Sequence, residues 1–190
     1  MFGVTGRIAR HARSPMSAIP ADIDTARQPP MTIPLRHFVV ALGFLAAAVG
    51  LRVALAAGVV AGTARLAHVH LLLAGWVCVT IMGAMTQFVP VWSGADLHSR
   101  RLATAQLWAV SVGLVGLAAC FLLGAFAWLP LFGAAAFLGF WTFAYNVART
   151  LSRLDHYDVT ERHFGLALGF LAVATALGLL LAVDFTSPLF

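Results

Sequence analysis

The sequence has little charge and no lysine. Only 10% of its 190 residues are charged, and all 12 basic residues are arginine, against 7 acidic residues. A soluble globular domain carries about 25% charged and about 45–50% apolar residues. In this chain 61% of the residues are hydrophobic. The composition therefore excludes a soluble enzyme, a coiled coil and a disordered chain, and it is typical of an integral membrane protein that contacts the lipid bilayer.

Cysteine is almost absent as well, because Cys78 and Cys120 are the only two. Two thiols without a C-x-x-C spacing exclude a disulfide scaffold, and we expect neither a disulfide nor a thiolate metal site. The sequence also lacks a glycine-rich phosphate loop, a nucleophile elbow and a nucleic-acid-binding module. We therefore interpret the excess of arginine as a signal for membrane topology and expect no nucleic-acid partner.

Five long apolar runs follow an N-terminal segment of different composition. Residues 1–36 contain five arginines and several prolines, and we expect them to form a basic, disordered tail. Residues 37–190 are predicted to form an all-α transmembrane bundle, because each run is long enough to cross about 30 Å of hydrocarbon as a helix. The expected spans are about 37–61, 66–92, 102–125, 127–148 and 163–183.

Basic residues alternate between the two ends of these spans. One side carries the tail and most of the other arginines: Arg36, Arg100, Arg101, Arg149, Arg153 and Arg162. The other side shows Arg65 and few further basic residues. The positive-inside rule therefore predicts a cytoplasmic N-terminus in the cell (inner) membrane. The odd number of spans, with the last residue soon after the fifth, is what we expect of a fragment or of half of a larger protein.

Local signals mark the ends of some spans. Asp158 and Glu161 predict an N-cap and first helical turn before the fifth run, and the segment 96–101 predicts the same before the third. Pro130 is expected to start or kink the fourth run. Gly165 and Gly169 are four residues apart, which suits a helix–helix contact.

Two histidines near the start of the second run are the strongest candidates for a functional site, because polar residues inside a membrane span are costly. His68 and His70 are two residues apart, which separates them by about 200° around a helix. We therefore expect the two imidazoles to point to opposite sides, where they could serve two different centres but not one shared metal ion. On spacing alone, interfacial histidines that hydrogen-bond to neighbouring groups remain an alternative.

The residues around this pair resemble a known membrane helix. The second run contains Ala67-His68-Val69-His70, then Ile81-Met82-Gly83, then Pro90-Val91-Trp92-Ser93-Gly94. Over residues 67–94, without a gap, it resembles the tenth transmembrane helix of subunit I of the haem–copper oxygen reductases. The predicted orientation agrees, because that family holds its haems near the outer face. The resemblance implies that His68 is an axial ligand of the high-spin catalytic haem and His70 of the low-spin haem.

The chain is shorter than a twelve-helix subunit I and lacks some of the family's ligands. The family's second axial histidine and its copper ligands have no counterpart near the outer face of this chain. The other histidines lie in the tail (His11), in loops (His98 and His156) or at the inner ends of spans (His37 and His163). The chain therefore resembles a short, divergent relative, or the haem- and copper-containing NnrS family. The resemblance implies haem, b-type or related, and copper, with missing ligands from another subunit, a C-terminal half or a second copy.

Arg52 is the next candidate site residue. The expected first span places it about 13 Å from the outer end of that helix. The guanidinium group is a good partner for a carboxylate, so Arg52 or Arg65 could bind a haem propionate. The alternative is an arginine whose side chain extends to the outer surface.

From the resemblance we expect a haem-binding membrane protein that transfers electrons. Completed by other ligands, it would be a respiratory oxidoreductase that reduces O2 or NO. The alternative is a non-enzymatic structural subunit of a membrane complex or a small transporter without a cofactor, lined by Gln87 and neighbouring threonines.

Overall fold

The computed structural model describes residues 29–187. This part of the chain consists of helices and loops without a strand, and five of its helical segments are long and apolar enough to cross a membrane. The predicted all-α transmembrane bundle of five spans is confirmed. The first 28 residues, which make up most of the expected tail, lie outside the described residues.

The five spans follow one another with short connections. Helix α1 is Thr32–Ala56, and the second span, Ala64–Ser93, is a continuous helix of three parts. These parts are α2 (Ala64–Val69), a π-helical segment (His70–Cys78) and α3 (Val79–Ser93). The remaining spans are formed by α4 (Arg100–Leu123), α5 (Leu129–Leu151) and α6 (Val159–Asp184), with a 3-10 turn at Phe126–Trp128 before α5.

The bounds of α1 differ from the expected span 37–61. The helix begins at Thr32, so the last residues assigned to the tail are helical, and it ends at Ala56. Gly58 and Gly62 follow with φ angles of 71° and 61°, a conformation that glycine adopts without strain and that commonly terminates helices. The apolar residues of this turn made the span appear longer in the sequence.

Small residues allow α1 to pack closely against the second span. The two helices run antiparallel, because Phe44 of α1 lies against Gly75 and His37 lies against Gly83. A Cβ atom at Gly75 would come within 2.6 Å of Phe44 Cγ, which no side chain can accept. These glycines therefore set the distance between α1 and the second span, as expected for helix packing in lipid.

Helices α4 and α5 form the closest pair in the bundle. A Cβ atom at Gly113 would lie 2.7 Å from the Cα atom of Ala136, and one at Gly139 would lie 2.7 Å from the backbone nitrogen of Val110. The backbones of α4 and α5 are therefore in contact at Gly113 of one helix and Gly139 of the other. The second span packs on α4 and α6 packs on α5, so this pair is the centre of the bundle.

Helix α6 lies at the edge of the bundle and leaves most of its surface exposed. Gly165 and Gly169 face open space, because a Cβ atom added to either residue would meet no neighbouring atom within 4 Å. The expected contact at these two glycines is therefore not made within the described chain. The apolar outer face of α6 suits contact with lipid.

One end of the bundle, which we call the arginine-rich end, contains the starts of α1, α4 and α6 and the ends of α3 and α5. Side chains at and just after the end of α5 hold the α3–α4 loop there. Asn146 Oδ1 accepts a hydrogen bond of 2.9 Å from the Ser99 amide, and Asn146 Nδ2 donates one of 3.0 Å to the Ser99 carbonyl. Arg153 Nη1 donates to the Asp96 carbonyl at 3.2 Å.

The predicted helix starts are confirmed at this end. Ser99 caps α4 by accepting a hydrogen bond from the Leu102 amide. Asp158 and Glu161 form a capping box at the start of α6, in which each side chain accepts from the backbone at the other residue. Pro130 lies in the first turn of α5, where its missing N–H costs nothing.

Replacing Asn146 with leucine should destabilise the bundle. The change keeps the size of the side chain but leaves the Ser99 amide without its partner, at a cost of about 1–3 kcal/mol. About 1 kcal/mol corresponds to roughly 2–4 °C in a chain of this length, so we expect Tm of the full chain in detergent to fall by several degrees. Thr142→Val is the control, because the Thr142 hydroxyl bonds only to Leu138 of its own helix. An equal Tm for both variants would contradict the role of Asn146.

Candidate functional site

The two candidate histidines face different helices, in agreement with the expected 200° separation. His68 reaches α1, where its Nδ1 lies 3.0 Å from the Ala48 carbonyl oxygen. His70 turns the other way, and its ring centroid lies 5.3 Å from that of Phe121 in α4. Its Nδ1 lies 2.7 Å from the carbonyl of Leu66 in its own helix.

These contacts determine which ring nitrogen of each imidazole is available. A carbonyl oxygen can only accept a hydrogen bond, so Nδ1 carries the proton in both His68 and His70. In the neutral imidazole, Nε2 then presents a lone pair. A histidine that binds a metal through one nitrogen commonly donates the other N–H to a backbone carbonyl, which orients the ring. In both residues Nε2 is therefore the nitrogen that could bind a metal.

The carbonyl contacts are not equally specific. His70 bonds to the residue four positions before it, as do His37 and His163, and this bond is available to any helical histidine. His68 bonds to a different helix, so the packing of α1 on the second span sets its orientation.

His70 borders a cavity of about 520 Å³ between the second span, α4, α5 and α6. Leucine, phenylalanine, alanine and glycine form almost all of its wall. The polar side chains on the wall are His70, Cys78 and Thr175. The Thr175 hydroxyl already accepts a hydrogen bond of 3.2 Å from Trp141 and donates to Leu171. The imidazole of His70 is therefore the main free polar contact that this cavity offers.

The π-helical segment keeps one row of side chains on the cavity. Leu66, His70, Ala74 and Cys78 are spaced by four residues, and all of them line it. In a regular α-helix each four-residue step advances about 40° around the axis, so the row would turn away. A π-helix closes its hydrogen bonds from i to i+5 and has more residues per turn, which corrects this drift. The segment has no signal in the sequence that would have predicted it.

The cavity has the size and the apolar wall of a cofactor site. Its volume lies within the range of about 300–1,000 Å³ that is typical of cofactor sites. It extends from Leu66 and Phe185 near one end of the bundle towards Phe140 and Leu171 in its middle. Arg65 is exposed and is next in sequence to Leu66, which lines the cavity. An apolar wall that carries one imidazole is compatible with haem.

Arg52 lies nearer to the end of its helix than expected. Because α1 ends at Ala56, Arg52 is about 6 Å from that end rather than about 13 Å. It is exposed and lies one turn after Ala48, whose carbonyl contacts His68.

The other histidines of the described chain lie away from this pair. His98, His156 and His163 belong to the arginine-rich end, and His37 lies one to two turns inside it. His37 is only 1% exposed, so its side chain is buried inside the bundle. Residues 29–187 contain no group of three or more histidine, cysteine or acidic side chains that could hold a metal ion.

The loss of the His68 imidazole and the loss of the His163 imidazole should change the stability of the cofactor-free chain by different amounts. His68→Ala removes a hydrogen bond between two helices, worth about 1 kcal/mol, and we expect Tm to fall by about 2–4 °C. His163→Ala removes only a bond within an exposed helix turn and serves as the control. Thermal unfolding of the full chain, expressed without added haem, measures both changes. Equal Tm values would mean that His68 does not hold α1 in place.

Comparisons of the chain with protein-family models, with curated proteins and with solved structures found no match.

Proposed function

We propose that this integral membrane protein binds haem and takes part in electron transfer. The observation that carries the proposal is the His70 imidazole at the wall of an apolar cavity of about 520 Å³, with Nδ1 held by a carbonyl and Nε2 free. His68, held from α1 on the other side of the same helix, is the proposed ligand of a second haem. The resemblance of residues 67–94 to the tenth helix of haem–copper oxygen reductases supports the same assignment.

The residues around His70 would each contribute to such a site. His70 would bind the iron through Nε2, while the Leu66 carbonyl fixes the ring. The leucine and phenylalanine walls would exclude water, and burial of this kind is one of the factors that set the reduction potential of a haem. A bound haem would supply one-electron chemistry.

Arg65 and Arg52 are the proposed partners of the propionates. Arg65 is next in sequence to Leu66, which lines the His70 cavity, and Arg52 lies one turn after Ala48, whose carbonyl contacts His68. A guanidinium group can donate two parallel hydrogen bonds to a carboxylate, which suits this role. A cation of this kind stabilises the electron-rich reduced haem, so its removal should lower the reduction potential of the haem.

The distribution of arginine supports a cytoplasmic arginine-rich end. Six arginines of the described chain lie at this end: Arg36, Arg100, Arg101, Arg149, Arg153 and Arg162. Arg52 and Arg65 lie at or near the opposite end. The positive-inside rule then places the N-terminus in the cytoplasm of the cell and the haems near the outer face.

Reduction of O2 or NO is the further activity that the resemblance suggests. It would need copper and additional axial ligands, which we propose come from another subunit, a longer form of the chain or a second copy. Copper binding is therefore proposed for the assembly rather than for the side chains described here.

An absorption spectrum of the purified full chain tests haem binding directly. With haem supplied during expression, we expect a Soret band that shifts and sharpens when dithionite reduces the protein. Because the two histidines face different sides, His68→Ala and His70→Ala should each remove about half of the bound haem, and the double variant should remove it all. His163→Ala is the matched control and should keep the full amount.

A variant that fills the cavity separates the two sites. Ala174 of α6 lines the cavity, and Ala174→Phe should remove the same fraction of haem as His70→Ala while the His68 fraction remains. Ala167→Phe, at an exposed position of the same helix, is the control. A colourless wild-type protein would overturn the proposal and favour the alternative of a structural subunit or transporter.

The midpoint potential of the haem tests whether Arg52 and Arg65 bind its propionates. Arg52→Leu and Arg65→Leu should each lower the midpoint potential of one haem in a spectroelectrochemical titration. Unchanged haem content together with an unchanged potential would remove that arginine from the proposed site.

A further inference from the structure

A second polar site lies in the other half of the bundle, far from the His68–His70 pair. His37 of α1 is 1% exposed, and its Nε2 is buried without a hydrogen-bond partner. Both polar atoms of the Gln87 side chain in α3 are buried and also lack a partner. Each such atom is costly inside a membrane protein, where bulk water is not available.

The packing of α1 on α3 places His37 and Gln87 within about one helical turn of each other along the bundle. His37 lies against Gly83, and Gln87 is one turn further along α3, on the same face and nearer the arginine-rich end. Helical side chains lean towards the N-terminus of their own helix. His37 therefore leans towards the arginine-rich end, as its bond to Ile33 shows, whereas Gln87 leans back towards Gly83. The two side chains approach the same space from opposite directions.

The hydrogen-bond chemistry of the pair is complementary to water. His37 Nδ1 lies 2.9 Å from the Ile33 carbonyl oxygen and must carry the proton, so Nε2 of the neutral ring needs a donor. The Gln87 amide offers two N–H donors and one acceptor. The Thr86 hydroxyl, also buried, is already bonded to the Gly83 carbonyl at 2.7 Å. A water molecule can donate to Nε2 and exchange hydrogen bonds with the amide, and buried waters typically make about three bonds of this kind.

We propose that His37 and Gln87 form an internal hydration site between α1 and α3, in which ordered water bridges His37 Nε2 and the Gln87 amide. The site does not depend on haem and lies on the opposite half of the bundle from the proposed haem ligands. Water held there would give the bundle an ordered polar position in an otherwise apolar helix interface.

Nuclear magnetic resonance of the ring nitrogens tests the site in the intact protein. The full chain, labelled with 15N-histidine in lipid nanodiscs, should show a His37 Nε2 resonance with the shift of an unprotonated, hydrogen-bonded nitrogen. The ring should show a cross-peak to water, and Gln87→Met should weaken it. His37→Phe assigns the resonance by removing it. The shift of a non-bonded nitrogen without a water cross-peak would overturn the proposal.

The sign of a stability change gives an independent test. If water joins the two side chains, Gln87→Met leaves His37 and the water short of a partner, and Tm should fall by about 2–4 °C. A dry, unpartnered amide predicts the opposite, because its replacement by an apolar side chain of similar size would raise Tm. A rise in Tm would therefore overturn the proposal.

A double-mutant cycle asks whether the two residues share the site. We expect His37→Phe and Gln87→Met together to lower Tm by less than the sum of the single changes. Thr142→Val is the control, because the Thr142 hydroxyl on α5 bonds only to Leu138 of its own helix. It should be additive with His37→Phe. Additivity of the His37–Gln87 pair would contradict a shared water.

Discussion

The close contact between α4 and α5 is the constraint on which the rest of the bundle depends. In lipid no hydrophobic force drives one apolar helix onto another, so helices associate where their backbones can approach. Gly113 and Gly139 provide this approach from both sides of the pair. The second span then packs on α4, α1 packs on the second span, and α6 packs on α5. A larger residue at either glycine would separate the two central helices and, through them, displace all three outer ones.

The candidate haem site follows from this arrangement. Its wall is formed by the two central helices, one face of the second span and one face of α6, so no single helix contains it. The π-helical segment that begins at His70 keeps a row of side chains directed at the cavity. Helix α6 closes the cavity from the edge of the bundle and makes its main contact with α5, so the integrity of the cavity depends on that contact.

The sequence was sufficient for features that depend on local composition. Apolar length predicted five spans, Asp158 and Glu161 predicted the start of α6, and a two-residue spacing predicted that His68 and His70 face different sides.

Features that depend on contacts between helices were not predicted. Apolar residues around Gly58 concealed the end of α1, which also placed Arg52 too deep. The burial of His37 depends on Gly83 in another helix, and the π-helical segment depends on the packing of the whole second span. A histidine near a span end has no local signal that distinguishes burial from contact with the membrane surface.

The two sides of the second span differ in a way that bears on the partners the chain would need. His70 borders a cavity closed by three other helices of its own chain, whereas His68 faces α1, which is exposed over much of its surface. On the proposed function, the chain alone supplies most of the walls for the haem at His70. A haem at His68 would have α1 on one side, and its other faces would lie against lipid or a partner. The proposed partner, whether another subunit, a longer form of the chain or a second copy, should therefore contact the bundle beside α1. Such a partner would protect α1 more than α6 from modification by a lipid-soluble reagent.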